Sequence, residues 1–183
     1  MPELIAPTVR LQAAWTEAHR EWGPGLHEDG FGLLPSDDVD SPVGFAAWVA
    51  RLTRGTAAQP GAGAEPGSAE PVRYRWIVEG DRLLGGIALR LGRSDQVLQY
   101  GHIGYGIRPS ARRRGLAGWA LGRILDEAGA AGLDRVLIVC EAGNTASART
   151  VERCGGVLEA VRDVGHGAER RYWIGLRPPG AGR

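Results

Sequence analysis

The spacing of apolar and polar positions divides the chain into elements. Leu4 to Val9 is a short apolar segment suited to a first strand, and Pro7 marks an edge or an end because proline cannot donate to a ladder. From Thr8 the spacing changes. Leu11, Ala14, Trp15, Ala18, His19 and Trp22 recur at helical intervals until Gly23-Pro24-Gly25 ends the run. Leu26 to Ser41 mixes Gly, Pro and Asp with a few large apolar residues and reads as loop, in which Asp37, Asp38 and Asp40 are either solvated acids or an attraction for a cationic amine. Phe45, Trp48, Val49 and Leu52 then define a second amphipathic helix entered through Ser41-Pro42. Residues 55–71, rich in Gly, Ala, Pro and Ser, read as a flexible loop.

Beyond that loop the period drops to two. Val72 to Val78 alternates, Glu79-Gly80-Asp81-Arg82 turns, and Leu83 to Leu91 returns as the second arm of a hairpin, with Gln96 to Ile107 as a third antiparallel strand. Between Gly115 and Gly132, Leu116, Trp119, Ala120, Ile124, Leu125 and Ala128 share one helical face. Arg135 to Cys140 is a continuous apolar run, the mark of a strand buried on both faces, which predicts a parallel β-α-β crossover at the centre of the fold. A short helix after Asn144 stops at Cys154-Gly155-Gly156. Val157 to Val164 and Arg170 to Leu176 pair as a last hairpin, and residues 177–183 form a frayed tail. The expectation is a single α+β domain over residues 1–183, with a mixed antiparallel and parallel sheet of about six or seven strands flanked by about four helices.

Composition narrows what such a domain does. A chain of 183 residues, 43% hydrophobic and 23% charged, suits one core. With 22 basic against 21 acidic residues it lacks the cationic excess that a nucleic-acid partner demands. No segment approaches the roughly 18 apolar residues of a membrane span, and no basic-then-apolar leader opens the chain, so a cytoplasmic location is expected. Cys140 and Cys154 lack nearby histidine spacing and read as reduced, buried thiols rather than metal ligands. Lysine is absent, which removes both Schiff-base chemistry and the P-loop motif.

The chemistry concentrates in Gly101-His102-Ile103-Gly104-Tyr105-Gly106-Ile107-Arg108-Pro109 and the basic loop that follows it. A strand runs into a glycine-bearing turn and then into a helix, so unpaired backbone N–H groups gather beside Arg108, Arg112, Arg113 and Arg114. That is a phosphate site by construction, or else a plain strand-to-helix connection with solvated arginines. A dinucleotide fingerprint does not fit, because Gly104-Tyr105-Gly106 is followed by Arg108-Pro109 rather than by a third glycine at the helix entry. Arg112-x-x-Gly115-x-Ala117 does resemble the [Q/R]-x-x-G-x-[G/A] loop of the GNAT (general N-acetyltransferase) superfamily. Asn144-x-x-Ser147 followed by Glu152-x-x-Gly155-Gly156 resembles that family's second signature. The likeness spans roughly Val72 to Leu176 and is similar to a group of bacterial predicted acetyltransferases.

This resemblance implies a GNAT-like fold and a site for acetyl-coenzyme A as co-substrate, with no metal. The pyrophosphate would lie on the loop of Arg112, Arg113, Arg114, Gly115, Leu116 and Ala117, and the arm would meet Asn144 and Ser147. Strand N–H groups including that of Ile107 would polarise the thioester carbonyl. It implies transfer of an acetyl group to a primary amine of a small molecule or peptide, with no nucleic-acid or membrane partner and with pairing of two copies through sheet edges. A base must deprotonate the amine; His102 comes first and Glu141 second, while the bland readings are a half-buried strand histidine and a capping or solvated carboxylate. Many family members carry a tyrosine acid seven residues after the asparagine, a position held here by Val151. Tyr105, Tyr172 or a water would have to replace it. The departure also opens a different class of function, a non-catalytic acyl-coenzyme A sensor, and the fold alone admits other acyl donors or acceptors.

Overall fold

The computed structural model describes residues 1–23, 29–54, 71–165 and 167–176. The loop expected over residues 55–71 and the tail expected over 177–183 therefore lie outside the described residues, apart from Pro71. Strand β1 (Glu3–Ile5) leads to a single 3-10 turn, whose start is held by Arg10 N–H donating to the Thr8 hydroxyl, and on into α1 (Gln12–Trp22). Helix α2 (Pro42–Thr53) starts where the sequence predicts, with Gly44 N–H donating to Ser41 Oγ and proline in the first turn. Strands β2 (Val72–Glu79) and β3 (Arg82–Arg90) form the hairpin, followed by α3 (Asp95–Tyr100), β4 (Ile103–Ile107), α4 (Leu116–Ala130), β5 (Arg135–Glu141), α5 (Thr145–Arg153), β6 (Val157–Asp163) and β7 (Ala168–Gly175).

Seven strands and five α-helices among the described residues give the expected α+β class, but the sheet is split. One sheet has the order β1-β2-β3-β4 and the other β5-β7-β6, and every ladder is antiparallel. The predicted crossover through α4 exists without the parallel ladder between β4 and β5; the two sheets are linked by one isolated antiparallel bridge, between Gly101 just ahead of β4 and Ile138 of β5. Two bonds reinforce that bridge: His102 N–H donates to Leu137 O (2.7 Å), and Leu137 N–H donates to His102 Nδ1 (2.9 Å). A ring nitrogen takes the place of a backbone acceptor, so the bridge does not extend into a ladder and the strands diverge.

Two other expectations change. Residues 96–100 are not strand: Ser94 caps α3 through Val97 N–H, buried Val97 anchors the turn, and β4 begins only at Ile103. Gly104 and Gly106 lie within β4, which pairs with β3 without a register shift. Gly106 leaves room for the segment at Asp29-Gly30, where a Cβ on Gly106 would sit 2.7 Å from Asp29 O and one on Gly30 would sit 2.5 Å from Gly86 O. Strand β5 is buried over Val136, Leu137 and Ile138 but half-exposed at Val139 and Cys140, because its second half faces the opening between the sheets.

Two cores lie on the two faces of the first sheet. Trp15, Phe31, Phe45, Trp48 and Trp76 form an aromatic cluster under α1 and α2, with ring centroids 4.6 to 6.5 Å apart. On the other face Leu84, Ile87, Leu89 and Ile103 pack with Ala120, Leu121 and Ile124 of α4 and with Val136, Ile138, Val151 and Tyr172. Strand β3 is buried from Leu83 to Leu89 because it serves both cores.

Candidate active site

The divergence of β4 from β5 opens a cleft of about 840 Å³. One wall is Ile103 to Ile107, the other Ile138 to Glu141 with Asn144, Ser147 and Thr150, and Arg112 and Ala117 lie against it from the basic loop. The loop owes its shape to two left-handed residues, Arg113 (φ 64°) and Gly115 (φ 77°). Gly115 is the cap residue of α4 and no side chain caps that helix, so its first-turn amides keep their donors free for an anion. A Cβ on Gly115 would meet nothing within 4 Å. The glycine supplies the left-handed turn, and the space beside it is open.

The four arginines near this loop have different fates. Arg112 Nε donates to Ile107 O (3.1 Å), which holds its side chain along the cleft. Arg113 is exposed, and Arg114 donates to Glu79 (2.8 Å). Arg108 does not face the expected phosphate site at all. It is 1% exposed, and its guanidinium turns inward to Glu17 (2.7 Å) and Glu21 of α1 and to Leu83 O (3.1 Å). Ser110 N–H (3.1 Å) and Oγ (3.0 Å) also donate to Glu21, so α1 is pinned to the turn that launches the loop. The side chain of Leu116 is buried in the core, which leaves only its amide for a ligand, while Ile107 lines the cleft.

On the far wall Asn144 caps α5, its Oδ1 accepting Ser147 N–H (3.0 Å), with the amide nitrogen retaining its donors. Val151, in the place of the family tyrosine, is fully buried, and a Cβ on Gly156 would lie 2.5 Å from its Cγ1. A different tyrosine occupies the gap. Tyr105 crosses from β4, and its hydroxyl lies 2.9 Å from Ser147 Oγ. Burial pushes its phenol up to about 12, only partly offset by the bond to Ser147, so it is a proton carrier at neutral pH. Tyr172 instead donates to Glu152 (2.9 Å) within the second core and does not line the cleft.

Of the two base candidates, Glu141 stands in the cleft wall at the end of β5, exposed. His102 is 4% exposed, its Nδ1 is taken by Leu137 N–H, its ring faces Trp173 at 6.2 Å, and it does not line the cleft. Of the acids named for amine attraction, Asp37 accepts Leu34 N–H and pairs with Arg51, and Asp38 accepts from Ser41, while Asp40 is exposed. Trp48 is core, whereas Trp22 lines the cleft together with Asp29, Tyr74, Arg90, Tyr100 and Cys140. Sequence reasoning singled out none of Asp29, Tyr74, Arg90 and Tyr100 for the site, because they come from segments distant along the chain and carry no local motif. Both cysteines are free and half-buried, and burial pushes each thiol up.

A sheet split into two around a cleft, with an uncapped glycine-turned helix at its edge, defines a fold of the acyltransferase type. The chain belongs to the acetyltransferase (GNAT) domain family, whose model matches residues 7–157. No curated protein sequence matches it significantly. Among solved structures it is similar to RimL, the ribosomal L7/L12 alpha-N-protein acetyltransferase, in complex with coenzyme A (TM-score 0.68, 16% identity, covering 96% of this chain and 94% of that one). It is also similar to the microcin C7 self-immunity acetyltransferase MccE in complex with acetyl-CoA and AMP (TM-score 0.64, 14% identity, 96% and 92% covered). A third is yncA, a putative acetyltransferase from Salmonella typhimurium with acetyl-CoA (TM-score 0.59, 19% identity, 98% and 96% covered). At these identities the likeness establishes the fold. Among the described residues no helix is long and apolar enough to cross a membrane.

Proposed function

We propose that this protein is an acetyl-coenzyme A dependent N-acetyltransferase acting on a primary amine of a small molecule or peptide. The observation that carries the reading is the cleft between β4 and β5, with the uncapped, glycine-turned start of α4 at one edge and the proton-bearing Tyr105 in its wall. Acetyl-coenzyme A supplies the activated thioester. Arg112 and the amides of Gly115, Leu116 and Ala117 bind its pyrophosphate, with Arg113 and Arg114 adding positive field, and Asn144 and Ser147 meet its arm. The β4 backbone at Ile107 orients the acyl group.

Glu141, which reaches water from the cleft wall, takes the proton from the amine, directly or through a water. Tyr105 gives its proton to the departing thiolate, and the hydroxyl of Ser147 holds the phenol in place. This substitutes for the tyrosine absent at position 151. His102 receives a joining role between the two sheets rather than a proton role. The test is isothermal titration of acetyl-coenzyme A into wild type and Gly115→Glu, followed by thiol release on supplying amines. Binding that the variant loses, with amine-dependent release, is the expected result. Binding without release for any amine would favour a non-catalytic sensor, and absent binding would remove the donor site.

A further inference from the structure

Two arginines line the cleft, and neither meets a carboxylate among the described residues. Arg112 belongs to the donor loop. Arg90, at the end of β3, is the other: it is half-buried, its Nη1 donates to Gly101 O (3.2 Å), and the rest of its guanidinium is left toward the cleft. Arginines packed elsewhere include several that are neutralised, Arg108 by Glu17 and Glu21, Arg51 by Asp37, Arg75 by Glu127 and Arg171 by Glu159. A cation in a partly dry cleft that meets no counter-ion among the described residues carries an electrostatic cost that an anionic ligand would relieve.

Arg90 is too far along the sheet to serve the donor pyrophosphate. Its backbone N–H donates to His102 O at the start of β4, whereas the basic loop follows the end of β4. Five strand positions separate the two, about 16 Å at 3.3 Å per residue. Tyr105 lies between them. A second donor stands beside Arg90: Tyr74 pairs with Ala88 and Val72 with Arg90, so Tyr74 and Arg90 point to the same face of the hairpin. The Tyr74 ring is packed over Gly32, where a Cβ would come within 2.5 Å, and its hydroxyl makes no hydrogen bond to a described residue. Glu141 lines the same cleft and brings negative charge for an ammonium group.

Resting on the acetyltransferase reading above, we propose that Arg90 and Tyr74 bind a carboxylate or phosphate carried by the acceptor. The acceptor is then a small amine bearing an anionic group. Arg90 binds and positions this group and takes no part in proton transfer.

The test is isothermal titration into protein preloaded with coenzyme A, using matched probes: ω-amino acids against their amides, and O-phosphoethanolamine against ethanolamine. In at least one arm the anionic member should bind about tenfold or more tightly than its neutral partner, as a charge-assisted bidentate contact implies. The arm that discriminates identifies the group. Arg90→Gln, which can keep the bond to Gly101 O, should shrink the preference to about twofold, and Tyr74→Phe should weaken it about threefold, with coenzyme A affinity retained in both as proof of folding. Equal or better binding of the neutral members, or a preference that survives Arg90→Gln, overturns the inference. So does an acidic peptide that binds far more tightly than any small anion. Failure of wild type to bind coenzyme A would instead sink the acetyltransferase reading beneath it.

Discussion

Replacing Arg108 by Met keeps the aliphatic stem and deletes the head that joins α1 to β4 and the basic loop. The head makes bonds to Glu17, Glu21 and Leu83 O while 1% exposed. Breaking a buried ion pair costs about 3–5 kcal/mol when the abandoned charge stays buried. Here the abandoned charges are carboxylates whose side chains are 67% (Glu17) and 27% (Glu21) exposed, so water takes over part of the work. The remaining loss, the packed head plus the orphaned Leu83 carbonyl, amounts to about 2–3 kcal/mol. Glu21→Gln leaves Arg108 buried with Glu17 alone and costs about 1–2 kcal/mol, whereas Glu17→Gln removes a mostly wet partner and costs less than about 1 kcal/mol. Urea unfolding at neutral pH measures the series, and the expected order is Arg108, then Glu21, then Glu17. Because Ser110 also bonds Glu21, Arg108→Met should weaken coenzyme A binding a few-fold by loosening the loop. A Glu17 variant as costly as the Arg108 variant, or an Arg108 variant within about 0.5 kcal/mol of wild type, would refute the clamp.

Tyr105→Phe should lower the rate of thiol release by about a hundredfold, the scale of a lost general acid, while acetyl-coenzyme A affinity stays within about twofold. With its proton held up to about 12, Tyr105 should impose no fall in rate across the neutral and mildly alkaline range; a descending limb that Tyr105→Phe abolishes there would contradict the assignment. Glu21, held down to about 2 from its usual 4.5 by the hydrogen bond from Arg108, contributes stability that is present above about pH 4.5 and lost as the pH falls toward 2. Discounted for its solvent contact the contribution is about 1–2 kcal/mol, and Glu21→Gln should flatten that part of the urea-midpoint profile. His102→Phe should cost about 1–3 kcal/mol by orphaning Leu137 N–H, with the turnover number little changed; a lost turnover at intact stability would restore the histidine as the base.

What the sequence by itself determined is what near neighbours decide. Thr8, Ser41 and Asn144 cap their helices because a short polar side chain can reach amides two or three residues on. The Arg112-x-x-Gly115-x-Ala117 turn was legible for the same reason: a left-handed glycine before an apolar helical run leaves amides uncovered whatever surrounds it. The hairpins followed from alternation and turn residues. Tertiary structure decided the rest, since it depends on which distant surfaces meet. Arg108 sits in a basic run yet turns inward because α1 presents Glu17 and Glu21 at that spot, far away along the chain. His102 looked like a base on a central strand and instead accepts a backbone N–H at the point where the ladder ends. The cleft exists because β4 and β5 part beyond that point, a property of two strands together. Arg90, Tyr74 and Asp29 converge on it from separate segments, and no periodicity carries that information; only the folded register of β2, β3 and β4 does.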